Sequence, residues 1–185
     1  MLTTGLSLEG WLEASLKIMQ KSLSDPDTLL HWRTQMRTLV HARFDSWSRS
    51  PDPINLFRSL SDLTMTYLLY LIMGTDFAER HTEEVVPMVR KYETAMQRPE
   101  TKLLPRWMTP AGRYLTYVEA RMQVLVGEEV ETRCRDMPRY KGNVEYIQQV
   151  LNRVGDKFKE GTSTLEFEYS YILHHTMLFI IVVTE

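Results

Sequence analysis

The most hydrophobic part of the sequence is INLFRSLSDLTMTYLLYLIMG, residues 54–74. Its large apolar side chains recur every three to four residues, the spacing of one broad helical face: Phe57, Leu60, Leu63, Tyr67, Leu68, Leu71 and Ile72. Gly74 follows as a natural C-terminal stop. The stretch therefore predicts a long helix that packs against other elements through a wide surface.

On the N-terminal side of this stretch, the apolar spacing predicts two more helices. The first covers about residues 7–23, and the run from Ser24 to Asp27 breaks it and supplies an N-cap for the second. The second helix carries an apolar face from Leu29 to Trp47. The composition of residues 48–53, SRSPDP, predicts a loop.

On the C-terminal side, a helix is expected to begin near Thr82, with Pro87 in its first turn. A proline-containing loop over residues 98–112 precedes a long helix at about 111–135 and a shorter one around 144–154. From about residue 165 the chain is apolar on nearly every face. No alternating strand pattern is present, so we expect an all-α fold.

The composition excludes several classes of protein. The formal net charge is -2, and acidic and basic residues are interspersed, which argues against a nucleic-acid-binding surface. One cysteine permits no disulfide within the chain and fits a reducing compartment. The first 20 residues lack the pattern of a signal peptide. The longest apolar run, residues 176–183, is shorter than the roughly 20 residues that span a membrane. We therefore expect an intracellular protein without a transmembrane anchor.

Motifs for self-sufficient catalysis are missing from the sequence. There is no phosphate-binding glycine loop, nucleophile elbow or zinc-binding His-Glu-x-x-His motif. His174 and His175 are adjacent and would point about 100° apart on a helix, which disfavours a shared metal. Cys134 is interpreted as a surface thiol, although its flanking arginines could lower its pKa. The pairs Glu83-Glu84 and Glu128-Glu129 are interpreted as solvated helix faces.

The proline-containing loop carries an unusual set of side chains. Leu103, Leu104, Trp107 and Met108 lie between the basic residues Lys102, Arg106 and Arg113. Apolar and aromatic side chains flanked by cations suit a membrane interface or the mouth of an apolar substrate site. An ordinary loop that anchors into the core is an equally good interpretation at this level.

Four stretches, in this order, resemble the middle of a fungal cytochrome P-450, a haem-thiolate monooxygenase. Residues 54–77 resemble a helix of that family that ends at a Gly-x-Asp-Phe sequence, and residues 102–107 resemble its link between two substrate-covering helices. Residues 128–133, EEVETR, followed by residues 143–151, NVEYIQQVL, resemble the next passage. Residues 174–179 resemble the opening of the family's long central helix.

This resemblance implies the fold and the chemistry of the family. The chain would be a single partial domain, residues 1–185, containing the helices up to the start of the central one. The implied reaction inserts one oxygen atom into an apolar, secondary-metabolite, steroid or lipid-like substrate. It uses haem and takes electrons from NADPH through a cytochrome reductase. By position in the resemblance, the substrate contacts are Met96, Leu103, Leu104 and Trp107. The family is typically associated with the endoplasmic reticulum, and the 102–113 loop is the expected peripheral membrane contact.

The sequence also departs from that family. Cys134 is not set in the family's F-x-x-G-x-x-x-C-x-G motif, and the Glu-x-x-Arg pair is absent. The apolar segment from about residue 165 has no stop signal after it, so we expect partner elements to be missing and the chain to be truncated. We expect no catalytic, cofactor-binding or metal-binding residue here, and no activity from the chain alone. The alternative is a non-enzymatic helical module that binds a protein partner or a membrane surface.

Overall fold

The structure, a computed structural model, describes residues 24–140 and 142–159 together with Lys17, Gln20 and Lys21. Every regular element in this part of the chain is helical, so the predicted all-α class is confirmed. The elements are α1 Pro26–Ser48, α2 Leu56–Met73, α3 Thr75–Met96, α4 Pro99–Leu103, a 3-10 turn Arg106–Met108, α5 Pro110–Arg135, α6 Met137–Tyr140 and α7 Tyr146–Lys159. Nearly all of the predicted first helix, the apolar segment after residue 165, and His174 and His175 lie outside the described residues.

Helix α2 is the predicted hydrophobic helix. Asn55 caps it by accepting a hydrogen bond from the Arg58 amide at 3.0 Å, and Gly74 ends it. Its buried side chains are Leu63, Met65, Leu69, Ile72 and Met73. Of the predicted apolar face, Leu63 and Ile72 are buried, whereas Phe57 near the beginning is 87% exposed. The fully buried Leu69 and Met73 were not predicted for this face.

Helix α3 begins seven residues before the predicted Thr82 start, directly after Gly74. The Thr82 hydroxyl donates to the Ala78 carbonyl of the preceding turn, so it bonds inside the helix and caps nothing. Pro87 lies well inside α3 rather than in its first turn, so that prediction was wrong. Pro87 is exposed, which leaves the carbonyl group that loses its donor accessible to water.

The predicted 98–112 loop is largely structured. Prolines begin both α4 and α5, and at the first position of a helix a missing amide hydrogen costs nothing. Helix α5 matches its prediction closely, with Thr109 accepting from the Gly112 amide at 2.9 Å. Helix α7 extends to Lys159, past its predicted end at Gly155.

The core forms where α2, α3, α5 and α7 meet. Its fully buried side chains are Leu69, Met73, Phe77, Ala78, Val85, Val89, Val118, Met122, Val126 and Ile147. Helix α1 packs mainly against α2. Tight burial of this kind fixes the positions of α3 and α5, the two helices on either side of the segment that contains α4 and the 3-10 turn.

Candidate functional site

Three of the four predicted substrate contacts lie together on the surface. Leu103 is 80% exposed, Leu104 46% and Trp107 73%. With the adjacent Met108, also exposed, they form what we call the apolar patch. Met96, the fourth, is half-buried at the end of α3 and packs against the core. The exposure of the apolar patch argues against the alternative of a loop that anchors into the core.

The polypeptide that carries the apolar patch is well defined by local bonds. The Thr101 hydroxyl donates to the Arg98 carbonyl at 2.7 Å within α4. The Leu104 amide donates to the Glu100 carbonyl, and the Met108 amide donates to the Pro105 carbonyl, both at 3.0 Å. Two short helical turns joined by extended residues therefore present the patch to solvent.

A polar network joins the 3-10 turn to α3 and α5. Arg106 Nη1 donates to both carboxylate oxygens of Glu119 at 2.7 Å, and the Tyr92 hydroxyl donates to Glu119 Oε1 at 2.9 Å. Burial, together with this hydrogen bond to a carboxylate, raises the pKa of Tyr92 to about 12. Glu119 holds the pKa of the Arg106 guanidinium above its ordinary value.

The cations beside the apolar patch differ in their partners. Arg106 is committed to Glu119, and Arg98 lies 3.6 Å from Glu100. Lys102 and Arg113 are exposed and form no ion pair among the residues that the structure describes. These two side chains leave unpaired positive charge on residues that flank the apolar patch in the sequence.

A second polar cluster is buried at the junction of α2, α3, α5 and α7. Arg133, 1% exposed, donates to Glu129 Oε1 at 2.8 Å and to the carbonyl of Met73, and its Nη1 lies 3.7 Å from Glu145. Glu129 also accepts from Arg80 at 2.8 Å. The prediction that Glu129 lies on a solvated face was wrong, because this side chain is only 3% exposed.

The sequence contained one signal for this cluster. The buried stripe of α5 runs through Met122 and Val126, and its continuation by three and seven residues reaches Glu129 and Arg133. Both side chains therefore share the core face, where charges persist only when they are paired. Their i,i+4 spacing supplies that pairing within one helix.

The implied haem-thiolate centre does not fit the described residues. Cys134 is exposed near the end of α5, and burial of part of its side chain, with a contribution from Glu131, raises the pKa of its thiol. Cys134 is thus a surface thiol, as predicted, and Arg133 does not lower its pKa because Arg133 is turned into the core towards Glu129. No three His, Cys, Asp or Glu side chains group as metal ligands in the described ranges. A thiolate ligand to haem iron needs the opposite environment, one that favours the charged sulfur.

Two open clefts are lined by residues outside the apolar patch. One lies between α1 and α2 and is lined mainly by Trp32, Met36, Val40, Tyr67 and Leu71. The other lies between α3 and α5, with Ala95, Ala111 and Tyr114 in its wall. Neither cleft is lined by a predicted substrate contact. Within the described chain, no helix combines the length and hydrophobicity needed to cross a membrane.

Comparison with known proteins shows similarity to fungal cytochrome P-450 monooxygenases. The chain is 26% identical to pynD of Aspergillus niger over 135 residues, 72% of this chain and 26% of that protein. It is 26% identical to pytD of Aspergillus terreus over 172 residues, 90% of this chain and 43% of that protein. It is 24% identical to pyvB of Aspergillus violaceofuscus over 168 residues, 90% of this chain and 33% of that protein.

The chain thus spans less than half of the length of each of these three relatives. No protein-family model matches the sequence. No solved structure matches it either.

Proposed function

We propose that this chain is the substrate-side helical portion of a cytochrome P-450-like protein. The family activity is haem-dependent monooxygenation of an apolar secondary-metabolite, steroid or lipid-like substrate. The observation that carries the proposal is the similarity of up to 90% of the chain to named cytochrome P-450 monooxygenases. The all-helical architecture of the described residues is consistent with it.

The proposed role of the segment after α3 is to contact the apolar substrate through Leu103, Leu104 and Trp107, with Met96 behind them. Its exposed side chains provide apolar surface, and burying apolar surface contributes about 25 cal/mol per Å² to binding. The fixed positions of α3 and α5 would determine where on the protein this surface lies.

Oxygen activation would be supplied by haem with a cysteine thiolate as the axial ligand, and electrons would come from NADPH through a reductase. Because the environment of Cys134 disfavours a thiolate, we propose that this chain alone is not a competent monooxygenase. Its own residues would bind and orient the substrate and exclude water from it.

Haem titration of the 185-residue chain tests the second part of the proposal. After reduction under carbon monoxide, we expect no Soret band of the kind given by a thiolate-bound complex. A stoichiometric band of that kind, lost in Cys134→Ser, would overturn the claim that the chain is incompetent.

Binding of an apolar fluorescent probe, anilinonaphthalene sulfonate, tests the substrate contact. The double variant Leu103→Ser/Trp107→Ser removes the two most exposed side chains of the apolar patch and is expected to weaken probe binding. Phe57→Ser is the matched control, because Phe57 is equally solvent-exposed but lies at the start of α2. Equal binding by the patch variant and the control would refute the assignment.

The runner-up is a non-enzymatic module that binds a membrane surface. It is favoured by one observation, the exposed Trp107 flanked in the sequence by Lys102 and Arg113, which form no ion pair among the described residues. Aromatic side chains and cations together suit the headgroup region of anionic lipids. Co-flotation with phosphatidylserine vesicles is then expected for the unmodified chain and lost in Trp107→Ser. Flotation of both proteins, or of neither, would count against this function.

A further inference from the structure

We infer that Glu119 acts as a latch that holds the covering segment, residues 104–109, against helices α3 and α5. The latch makes Glu119 a positioning residue for the apolar patch. The identity of the molecule that the patch contacts rests on the proposed function. The existence of the latch does not depend on it.

The first attachment of the covering segment is the carboxylate of Glu119. Arg106 reaches both of its oxygens at 2.7 Å, and Tyr92 of α3 donates to one of them at 2.9 Å. Tyr92 is 4% exposed, so its hydroxyl depends on this acceptor. One side chain of α5 thereby joins the 3-10 turn to α3.

The second attachment is a close backbone approach. A Cβ atom added at Gly112 would lie 2.2 Å from the carbonyl oxygen of Arg106 and 2.6 Å from its Cα atom. The 3-10 turn therefore rests directly on the first turn of α5, and only glycine leaves space for it. Thr109 caps α5 at the same point by accepting from the Gly112 amide.

Burial of apolar side chains contributes little to holding the covering segment. Leu104, Trp107 and Met108 are all exposed, whereas Val85 and Val89 of α3 are fully buried. The segment is held by the Glu119 network, by the backbone contact at Gly112 and, at its C-terminal end, by the Thr109 cap of α5. Loss of the carboxylate should therefore release the covering segment and leave the core of α3 and α5 intact.

This arrangement makes the position of the apolar patch adjustable. Arg106 is half-exposed, so salt weakens its attraction to Glu119. Any ligand that competes for Arg106 or Glu119 would likewise shift the covering segment. The latch thus makes the orientation of Trp107 depend on salt and on ligands that compete for Arg106 or Glu119.

Hydrogen exchange on the 185-residue chain tests the latch. The informative amides are those of Leu104 and Met108, which donate to Glu100 and Pro105 at 3.0 Å. Glu119→Gln keeps the size of the side chain and removes its charge. We expect both amides to exchange about tenfold faster in this variant, because weakening hydrogen bonds to a charged group makes local opening of the segment easier by about that factor.

The matched control is Glu84→Gln. Glu84 pairs with Arg121 at 2.6 Å, and this pair also joins α3 to α5 but does not touch the covering segment. Exchange at Leu104 and Met108 should stay unchanged in the control. Unchanged exchange in Glu119→Gln, or an equal rise in both variants, would overturn the inference.

Arg106→Gln provides an independent check if Glu119→Gln perturbs folding. It removes the latch from the exposed side and leaves the Tyr92–Glu119 bond in place. It should reproduce the faster exchange, and wild-type rates in a folded Arg106→Gln protein would also overturn the inference. The measurement uses no haem, probe or vesicle, so its outcome is separate from that of the proposed function.

Discussion

Replacing Gly74 with alanine tests whether the junction of α2 and α3 needs glycine. Gly74 has φ +88° and ψ 172°, a backbone region that is essentially restricted to glycine. A residue with a side chain that is held there costs about 1–3 kcal/mol in backbone strain. This contribution alone would remove a noticeable part of the stability of a small domain.

The added methyl group also meets the buried charged cluster. Its Cβ would lie 2.7 Å from Arg133 Nη2 and 2.8 Å from Glu145 Oε1, closer than such contacts allow. Arg133 has no room to retreat, because it is 1% exposed and bonded to Glu129 and to the Met73 carbonyl. Separating a buried ion pair costs about 3–5 kcal/mol. Strain and displacement relieve each other in part, so we expect a total loss of about 3–5 kcal/mol.

Urea unfolding followed by far-ultraviolet circular dichroism measures the change. Gly142→Ala is the matched control, because a Cβ at Gly142 has nothing within 4 Å. The control should stay within about 0.5 kcal/mol of the unmodified chain, as ordinary surface substitutions do. If Gly74→Ala also stays within that margin, the argument for a required glycine beside a rigid charged cluster is refuted.

Two other substitutions probe the remaining networks. Glu129→Gln leaves the buried Arg133 without an anionic partner on its own helix and should lower the free energy of unfolding by about 3 kcal/mol. Glu128→Gln, on the exposed face of the same helix, should leave the free energy of unfolding unchanged. Equal urea midpoints for the two variants would contradict this prediction. Tyr92 has a pKa of about 12 in the fold and an ordinary value of 10.0, so its contribution to stability is fully present below pH 10 and is lost as the pH rises towards 12. Tyr92→Phe should remove that part of the alkaline loss of stability, and an unchanged profile of unfolding free energy against pH would argue against a raised pKa for the buried Tyr92 beside Glu119.

The sequence predicted the helices best where a local signal sets the end of an element. Asp25 caps α1, Gly74 ends α2 and Pro110 begins α5, and each acts through its own backbone or through a neighbour three residues away. The same reasoning failed for α3, because Thr82 and Pro87 carry the local signals of a helix N-terminus but lie inside the helix. Burial of Phe77 and Ala78 in the core favours the earlier start at Thr75, and local signals cannot report such tertiary packing.

The candidate site was predictable in part. Leu103, Leu104 and Trp107 stand out in the sequence because large apolar side chains there alternate with cations, and the structure places them on the surface together. Their attachment was not predictable. Glu119 accepts hydrogen bonds from Tyr92 and Arg106, which lie 27 and 13 residues away in the sequence. No local sequence pattern indicates which of several carboxylates these two side chains contact.

Two of the four stretches that resemble the cytochrome P-450 family meet at one place in the structure. The first contains Met73 and Gly74, and the other contains Glu129, Arg133 and Glu145. Arg133 joins the two stretches, and a Cβ at Gly74 would collide with it. The resemblance in these stretches therefore concerns residues that join helices by a buried charge cluster. Buried ion pairs position elements and do not select ligands. Under the proposed function, substrate selection would therefore depend on the apolar patch and on the Glu119 latch that orients it.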